Sequence, residues 1–201
     1  MPNQFLIVGL GNPGREYAQT RHNAGFLLVE RLVKRWHANW NRGKKFDARL
    51  ARANVEGRQV WLGQPQTFMN ASGEAVGALV KFYRVPGAGV LVAVDDADLP
   101  LGEIRLRPSG SSGGHHGLES VEQHLGTRDY ARLRIGIGRK AGKREITDYV
   151  LGRLNAAESA LMDKVLDVAC DQAECWLREG TQKAMNQFNG AITNSENKGK
   201  Q

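Results

Sequence analysis

The chain has 201 residues, 41% of them hydrophobic, a length and balance that close one full core and favour a single domain. Lys and Arg number 28 against 21 Asp and Glu, so the formal net charge is +7, which favours a polyanionic partner such as nucleic acid. Cys170 and Cys175 lie in a helical pattern that points them apart, which argues for reduced thiols and against a disulfide scaffold or a structural metal site. With no charged leader and long apolar core before the first strand, neither a signal peptide nor a membrane span is expected, and the protein is predicted to be cytoplasmic.

In chain order, Phe5 to Leu10 is a short apolar run, the form of a strand buried on both faces. Gly11-Asn12-Pro13-Gly14 is a turn, and from Ala24 to Trp36 apolar residues recur at helical spacing, with Thr20 or Asn23 as candidate caps. Residues 46–55 and 58–64 predict a hairpin about Glu56-Gly57. Val76, Leu79, Val80 and Tyr83 give a helix that stops before Pro86. Val90 to Val94 is a second all-apolar strand that runs into Asp95-Asp96-Ala97-Asp98-Leu99-Pro100, and a further strand spans roughly Gly102 to Arg107. Arg132 to Ile137 alternates with period two, as a strand with one solvated or ligand-facing side does. A long amphipathic helix follows over Ala156 to Glu179, capped by Asn155 with Glu158 three residues on and stopped by Gly180. The stretch Gly190 to Gln201 is polar and predicted to be disordered.

Strands alternating with helices predict one α/β domain over residues 1–190, a twisted, mixed and mostly parallel sheet flanked by helices, followed by a polar tail at 191–201. Ligands in such sheets bind at the carboxyl ends of the central strands, and Asn12 and Asp95 sit just past those of the two most apolar ones.

Two motifs point elsewhere. Gly9, Gly11 and Gly14 satisfy GxGxxG, but a dinucleotide site needs the motif to open directly into a helix and a second strand to end in an acid, and Glu30 falls inside a helix instead. Gly110, Ser112 and Gly114 satisfy GxSxG, yet no acid-then-histidine order follows beyond Asp129, so a flexible glycine loop is the better reading.

The residues suited to ester hydrolysis are His22, Asp95, Asn12 and Asn70. A histidine at a helix start feels a dipole that disfavours imidazolium, while a carboxylate beside it favours the charged ring, and such opposed influences suit proton transfer from water and back to a leaving alcohol. Asp95 is placed to orient His22 as the acid does in hydrolase triads; Asp96 and Asp98 make a solvated turn or a hard-metal site the alternative, without established ligand spacing. Asn12 and Asn70 offer amide dipoles for a substrate carbonyl or an oxyanion, their structural alternatives being a turn asparagine and a helix cap. Phe68 and Met69 offer an apolar wall or merely core, and Gly110 to His116 a close backbone approach with His115 as donor; adjacent His115 and His116 do not aim at one metal ion. Arg105, Arg107, Arg132 and Arg134 alternate along two strands, so within each run they share a face that can grip phosphates or simply meet solvent.

GLGNPG with Tyr17, the run Thr20 to Gly25, Phe68-Met69-Asn70, Asp95 to Pro100, GSSGGHHG and LRIGIG near 133–138 together resemble bacterial peptidyl-tRNA hydrolase, in order, from about residue 5 to 190. The resemblance implies a monomeric α/β esterase that needs no metal or other cofactor and cuts the link between a peptide and the terminal ribose of tRNA. It implies His22 as base, Asp95 as its partner, and Asn12, Asn70 and His115, with Tyr17, Phe68, Met69 and His116, along the cleft for peptide and terminal adenosine. Arg107 and Arg134 fall where the family clamps the 5′ phosphate of tRNA. His116 departs from the family's usual Asn, and an imidazole replaces one hydrogen bond of an amide but not donor and acceptor together. The rival readings are a non-catalytic RNA-binding relative, like the chloroplast intron-splicing factors that look like this family, and a serine hydrolase acting through Ser112.

Overall fold

The computed structural model describes residues 4–138 and 146–192. Its elements run β1 (Gln4–Gly9), α1 (Ala24–Arg35), β2 (Asn41–Gly43), β3 (Ala48–Val55), β4 (Arg58–Pro65), α2 (Ser72–Tyr83), β5 (Val90–Asp96), β6 (Glu103–Arg107), α3 (His116–Leu125), β7 (Ala131–Gly136), α4 (Ile146–Val150), α5 (Ala156–Glu179), α6 (Thr181–Phe188) and β8 (Gly190–Ala191). They build one mixed sheet of order β2-β3-β4-β1-β5-β7-β6-β8. The centre, β4-β1-β5-β7, is parallel and both flanks are antiparallel.

The apolar runs of β1 and β5 sit in the middle of this sheet because both of their faces are covered. Phe5 and Ile7 of β1 face a core made with α1 and α5, whereas Leu6 and Val8 face a second core made with α2 and α3. The hairpin turns where it is expected, with Glu56 and Gly57 both at positive φ, 50° and 81°, which matches the twist of the strands it joins. Lys44–Phe46 is a 3-10 turn, so β3 begins at Ala48 and not at residue 46. Asn155 caps α5 in a full capping box with Glu158.

Neither candidate cap of α1 acts as one: Thr20 Oγ1 donates to Tyr17 O, and the amide of Asn23 is used elsewhere. The tail expectation fails at its start, since Gly190–Ala191 pairs with β6 through Ile104 and Glu103. Residues 193–201 lie outside the described residues.

Glycine explains how α1 reaches the sheet. A Cβ on Gly9 would collide with the backbone of Gly25 and lie 2.8 Å from Val29, and one on Gly25 would collide with Ala93 O and lie 2.6 Å from the Leu10 backbone. The first glycine of the apparent dinucleotide motif therefore serves contact between helix and sheet backbones. Both cysteines are free and buried, and burial pushes the Cys170 thiol up to about 12. Among the described residues, no helix is long and apolar enough to cross a membrane.

Candidate active site

At the carboxyl end of β5, Asp95 is 2% exposed and faces two imidazoles. His22 stands in the 3-10 turn Arg21–Asn23 that leads into α1, and its Nδ1 lies 2.8 Å from Asp95 Oδ1. His115 closes the glycine loop as the N-cap of α3; its Nε2 lies 3.1 Å from the same oxygen, and its Nδ1 accepts from Leu118 N at 3.3 Å.

These contacts fix the protons. Burial alone would raise the Asp95 carboxyl, but hydrogen bonds and charge from His115 and His22 outweigh it and hold the group well below the usual carboxylate range. An ionised carboxylate only accepts, so His22 presents an N–H to it from Nδ1, and in the neutral ring the lone pair is then on Nε2. His115, whose Nδ1 already accepts from Leu118, must donate from Nε2.

The turn that carries His22 also fixes Asn12. Asn23, buried in the next position, accepts from Asn12 N through Oδ1 at 2.8 Å and donates from Nδ2 to Asn12 O at 3.0 Å. Asn12 Oδ1 in turn accepts from Met69 N at 2.8 Å, which leaves the amide nitrogen of Asn12 as the end able to donate to a ligand. Asn70 is exposed in the 3-10 turn Met69–Ala71 ahead of α2 and is not a helix cap.

These groups open on a cavity of about 510 Å³ lined by Asn12, His22, Phe68, Met69, Asn70, Asp95, Asp96, Ala97, Asp98, Gly113, Gly114, His115, His116, Arg134, Val150 and Leu151. Its rim includes two exposed apolar side chains, Phe68 at 63% and Leu151 at 36%. Exposed apolar side chains at one mouth suit a ligand with an apolar portion. His116 lies 77% exposed by side chain on that rim, its Nδ1 3.0 Å from Glu119 Oε2, so Nε2 is the atom left for a ligand.

Some expected residues stand apart. Tyr17 is half-buried in the turn after Gly14 and does not line the cavity. Ser112 Oγ lies 3.4 Å from Glu119 Oε1 and accepts from Gly114 N, with no described histidine bonded to it, so the serine-hydrolase arrangement is missing. The four arginines of β6 and β7 do share one face, with Arg105 opposite Arg134 and Arg107 opposite Arg132. They are not equivalent as phosphate ligands, however. Arg132 is buried and holds Gly110 O and Arg128 O, and Arg134 is committed to Asp96 Oδ2 at 3.1 Å and to the carbonyls of Ser111 and Ser112. Arg105 and Arg107 are exposed.

The donor atoms of His22, Asp95 and His115 lie within 4.8 Å of one another, close enough to hold a cation. Doing so would require both imidazoles to surrender the protons they now give to the carboxylate.

Arg21 and Asn23, expected only within the family-like run Thr20 to Gly25 and, for Asn23, as a helix cap, also belong to the frame of the site. Burial of both polar side chains marks them as structural members of the site.

Residues 6–198 match the family model described as peptidyl-tRNA hydrolase. The chain is 48% identical over 184 residues to the peptidyl-tRNA hydrolase of Synechococcus sp. (strain JA-3-3Ab), covering 92% of this chain and 82% of that one. It is likewise 48% identical to that of Geobacillus kaustophilus (strain HTA426), covering 92% and 98%. The crystal structure of peptidyl-tRNA hydrolase from Acinetobacter baumannii superposes with a TM-score of 0.89 at 42% identity, covering 95% of this chain and 97% of that one. Matched over nearly its whole length by the family model, by curated relatives and by a solved structure, this chain belongs to the peptidyl-tRNA hydrolase family.

Proposed function

We propose that the cavity between β1, β5 and the glycine loop hydrolyses the ester joining a peptide to the 3′-terminal ribose of tRNA, with His22 as general base. The observation that carries this reading is the 2.8 Å contact of His22 Nδ1 with a buried, ionised Asp95, because it leaves Nε2 as a proton acceptor. In the first step Nε2 takes a proton from a water as its oxygen attacks the ester carbonyl. The negative charge that develops on the carbonyl oxygen is met by the amides of Asn12 and Asn70 with the loop N–H groups, dipoles that need no proton exchange. In the second step the imidazolium of His22 returns its proton to the departing ribose oxygen, giving tRNA with a free ribose hydroxyl and a peptide carboxylic acid that loses its remaining proton to solvent. His115, donating to Asp95, helps keep that carboxylate charged, and the Phe68 and Leu151 rim takes the apolar part of the peptide.

Arg107 and Arg134 are proposed to meet tRNA phosphate. Arg107 is exposed and uncommitted to the loop, so it carries most of the ionic term, whereas Arg134 also holds the loop that presents His115. Arg107→Ala is expected to flatten the dependence of log binding constant on log salt by about one unit, as loss of one phosphate contact does; a filter-binding series from low to moderate salt measures it. Because every group invoked lies on one chain, the working unit is proposed to be a monomer, acting in the cytoplasm where tRNA is charged and used.

The test is purified protein, treated with chelator, given an acylated tRNA whose amino group is blocked and a control with a free amino end. Release of the blocked acyl group, undiminished by chelator and by Ser112→Ala, is expected. Loss of activity on chelation, or in Ser112→Ala with retention in His22→Ala, would overturn the mechanism.

A further inference from the structure

Arg21 precedes the proposed base and has no part in the proton transfer. Its side chain is buried and crosses to the segment that ends in α5: Nη1 donates to Arg153 O at 2.9 Å, Nη2 to Glu158 Oε2 at 2.7 Å, and the guanidinium lies 4.7 Å from the Tyr149 ring centroid. Its backbone N also donates to Gly152 O at 3.1 Å, and Thr20 bridges Arg153. One residue therefore fastens this segment on both sides of Val150 and Leu151, two residues of the cavity wall. That wall has little burial of its own, since Val150 is half-buried and Leu151 exposed.

We propose that Arg21 is a positioning residue that sets the distance between the His22 turn and the Val150–Leu151 wall, and thereby substrate affinity; this rests on the cavity being the site of hydrolysis. A planar guanidinium meets two acceptors in a fixed fork and stacks on an aromatic ring at the same time, which an ammonium does not. Removing it leaves Glu158 and the Arg153 carbonyl without that partner and frees the wall. His22 keeps its place, because Asp95 holds the ring and Asn23 N still closes the turn on Thr20 O at 3.1 Å.

The expected signature is a split between binding and turnover. Arg21→Ala raises KM for blocked acyl-tRNA about tenfold with kcat within about threefold and an unchanged pH–rate profile, and Arg21→Lys raises KM about threefold. Arg31→Ala, which removes the ion pairs from α1 to Asp163 and Asp167 of α5 and leaves the Arg21 contacts, keeps the wild-type KM. A general loss of folding would lower activity in proportion to folded protein with KM unchanged. Unchanged KM in both Arg21 variants, or an equal KM rise in Arg31→Ala, overturns the proposal, as does a shifted pH–rate profile. Should Arg21→Ala fail to fold, Arg21→Lys and Glu158→Gln carry the same measurement. His22→Ala run alongside separates the two readings: retained turnover there removes the site itself, whereas unchanged KM in an enzyme that still depends on His22 removes only the role of Arg21.

Discussion

His22→Ala is expected to lower kcat on blocked acyl-tRNA by about 10² to 10⁴, the range that a positioned general base supplies, while the affinity for tRNA changes by no more than about twofold. The two readouts separate because the imidazole is only partly exposed at the floor of the cavity, whereas Arg105 and Arg107 lie exposed on β6. Single-turnover hydrolysis with saturating enzyme, next to equilibrium binding of deacylated tRNA, measures both. Retention of more than about a tenth of the wild-type rate would leave no room for a dominant base at this position.

Asp95→Asn is expected to cost about 10² to 10⁴ in kcat, the upper end being what the same exchange costs in a serine-protease triad. Its cause is different from that of His22→Ala. The exchange keeps the shape and removes the charge, so the imidazolium formed during the reaction loses its partner. If the Asn nitrogen turns toward His22, the ring must accept there and carry its proton on Nε2, where it no longer acts as a base. Nitrogen-15 shifts of His22 read the tautomer directly, and a wild-type pattern with wild-type rate would refute the arrangement. The same carboxylate has a stability signature whose sign is fixed. Its folded value is depressed below 3.8, so its contribution is complete above that pH and is lost only as pH falls through the lowered value. Urea unfolding should thus show the gap between wild type and Asp95→Asn closing only in strong acid.

Much of this site is legible in the chain because strand ends are legible. The runs Phe5 to Leu10 and Val90 to Val94 are apolar at every position, which only a strand covered on both faces tolerates, and the polar residues that follow them, Asn12 and Asp95, are therefore at the edge where α/β sheets bind ligands. The capping box at Asn155 and the Glu56-Gly57 turn are equally local signals and stand as read. What fails is decided by partners distant in sequence. Thr20 and Asn23 carry the chemistry of helix caps, yet Asn23 gives its amide to Asn12, eleven residues away, and no local rule contains that bond. Arg132 and Arg134 alternate as a solvent-facing pair would, but the glycine loop folds over them and takes their donors. Helix α3 was hidden by the glycines ahead of it, although Leu118, Val121 and Leu125 keep its period and Gly126, at φ 65°, stops it. His115 therefore emerged as a loop donor when it is also the residue that begins a helix.

The bare contact of α1 with the sheet through Gly9 and Gly25 has a practical corollary for anyone engineering a hardier variant. Exchanging a helical glycine for alanine is a routine thermostabilising choice, worth up to about 1 kcal/mol in an open helix. At position 25 the added methyl would have to displace the helix from the ends of two strands, and the turn that carries the proposed base rides at that helix's leading end. The reach from imidazole to carboxylate is thus gauged by main chain against main chain, a spacer with no adjustable side chain in it, and hardening the protein there would come at the expense of turnover.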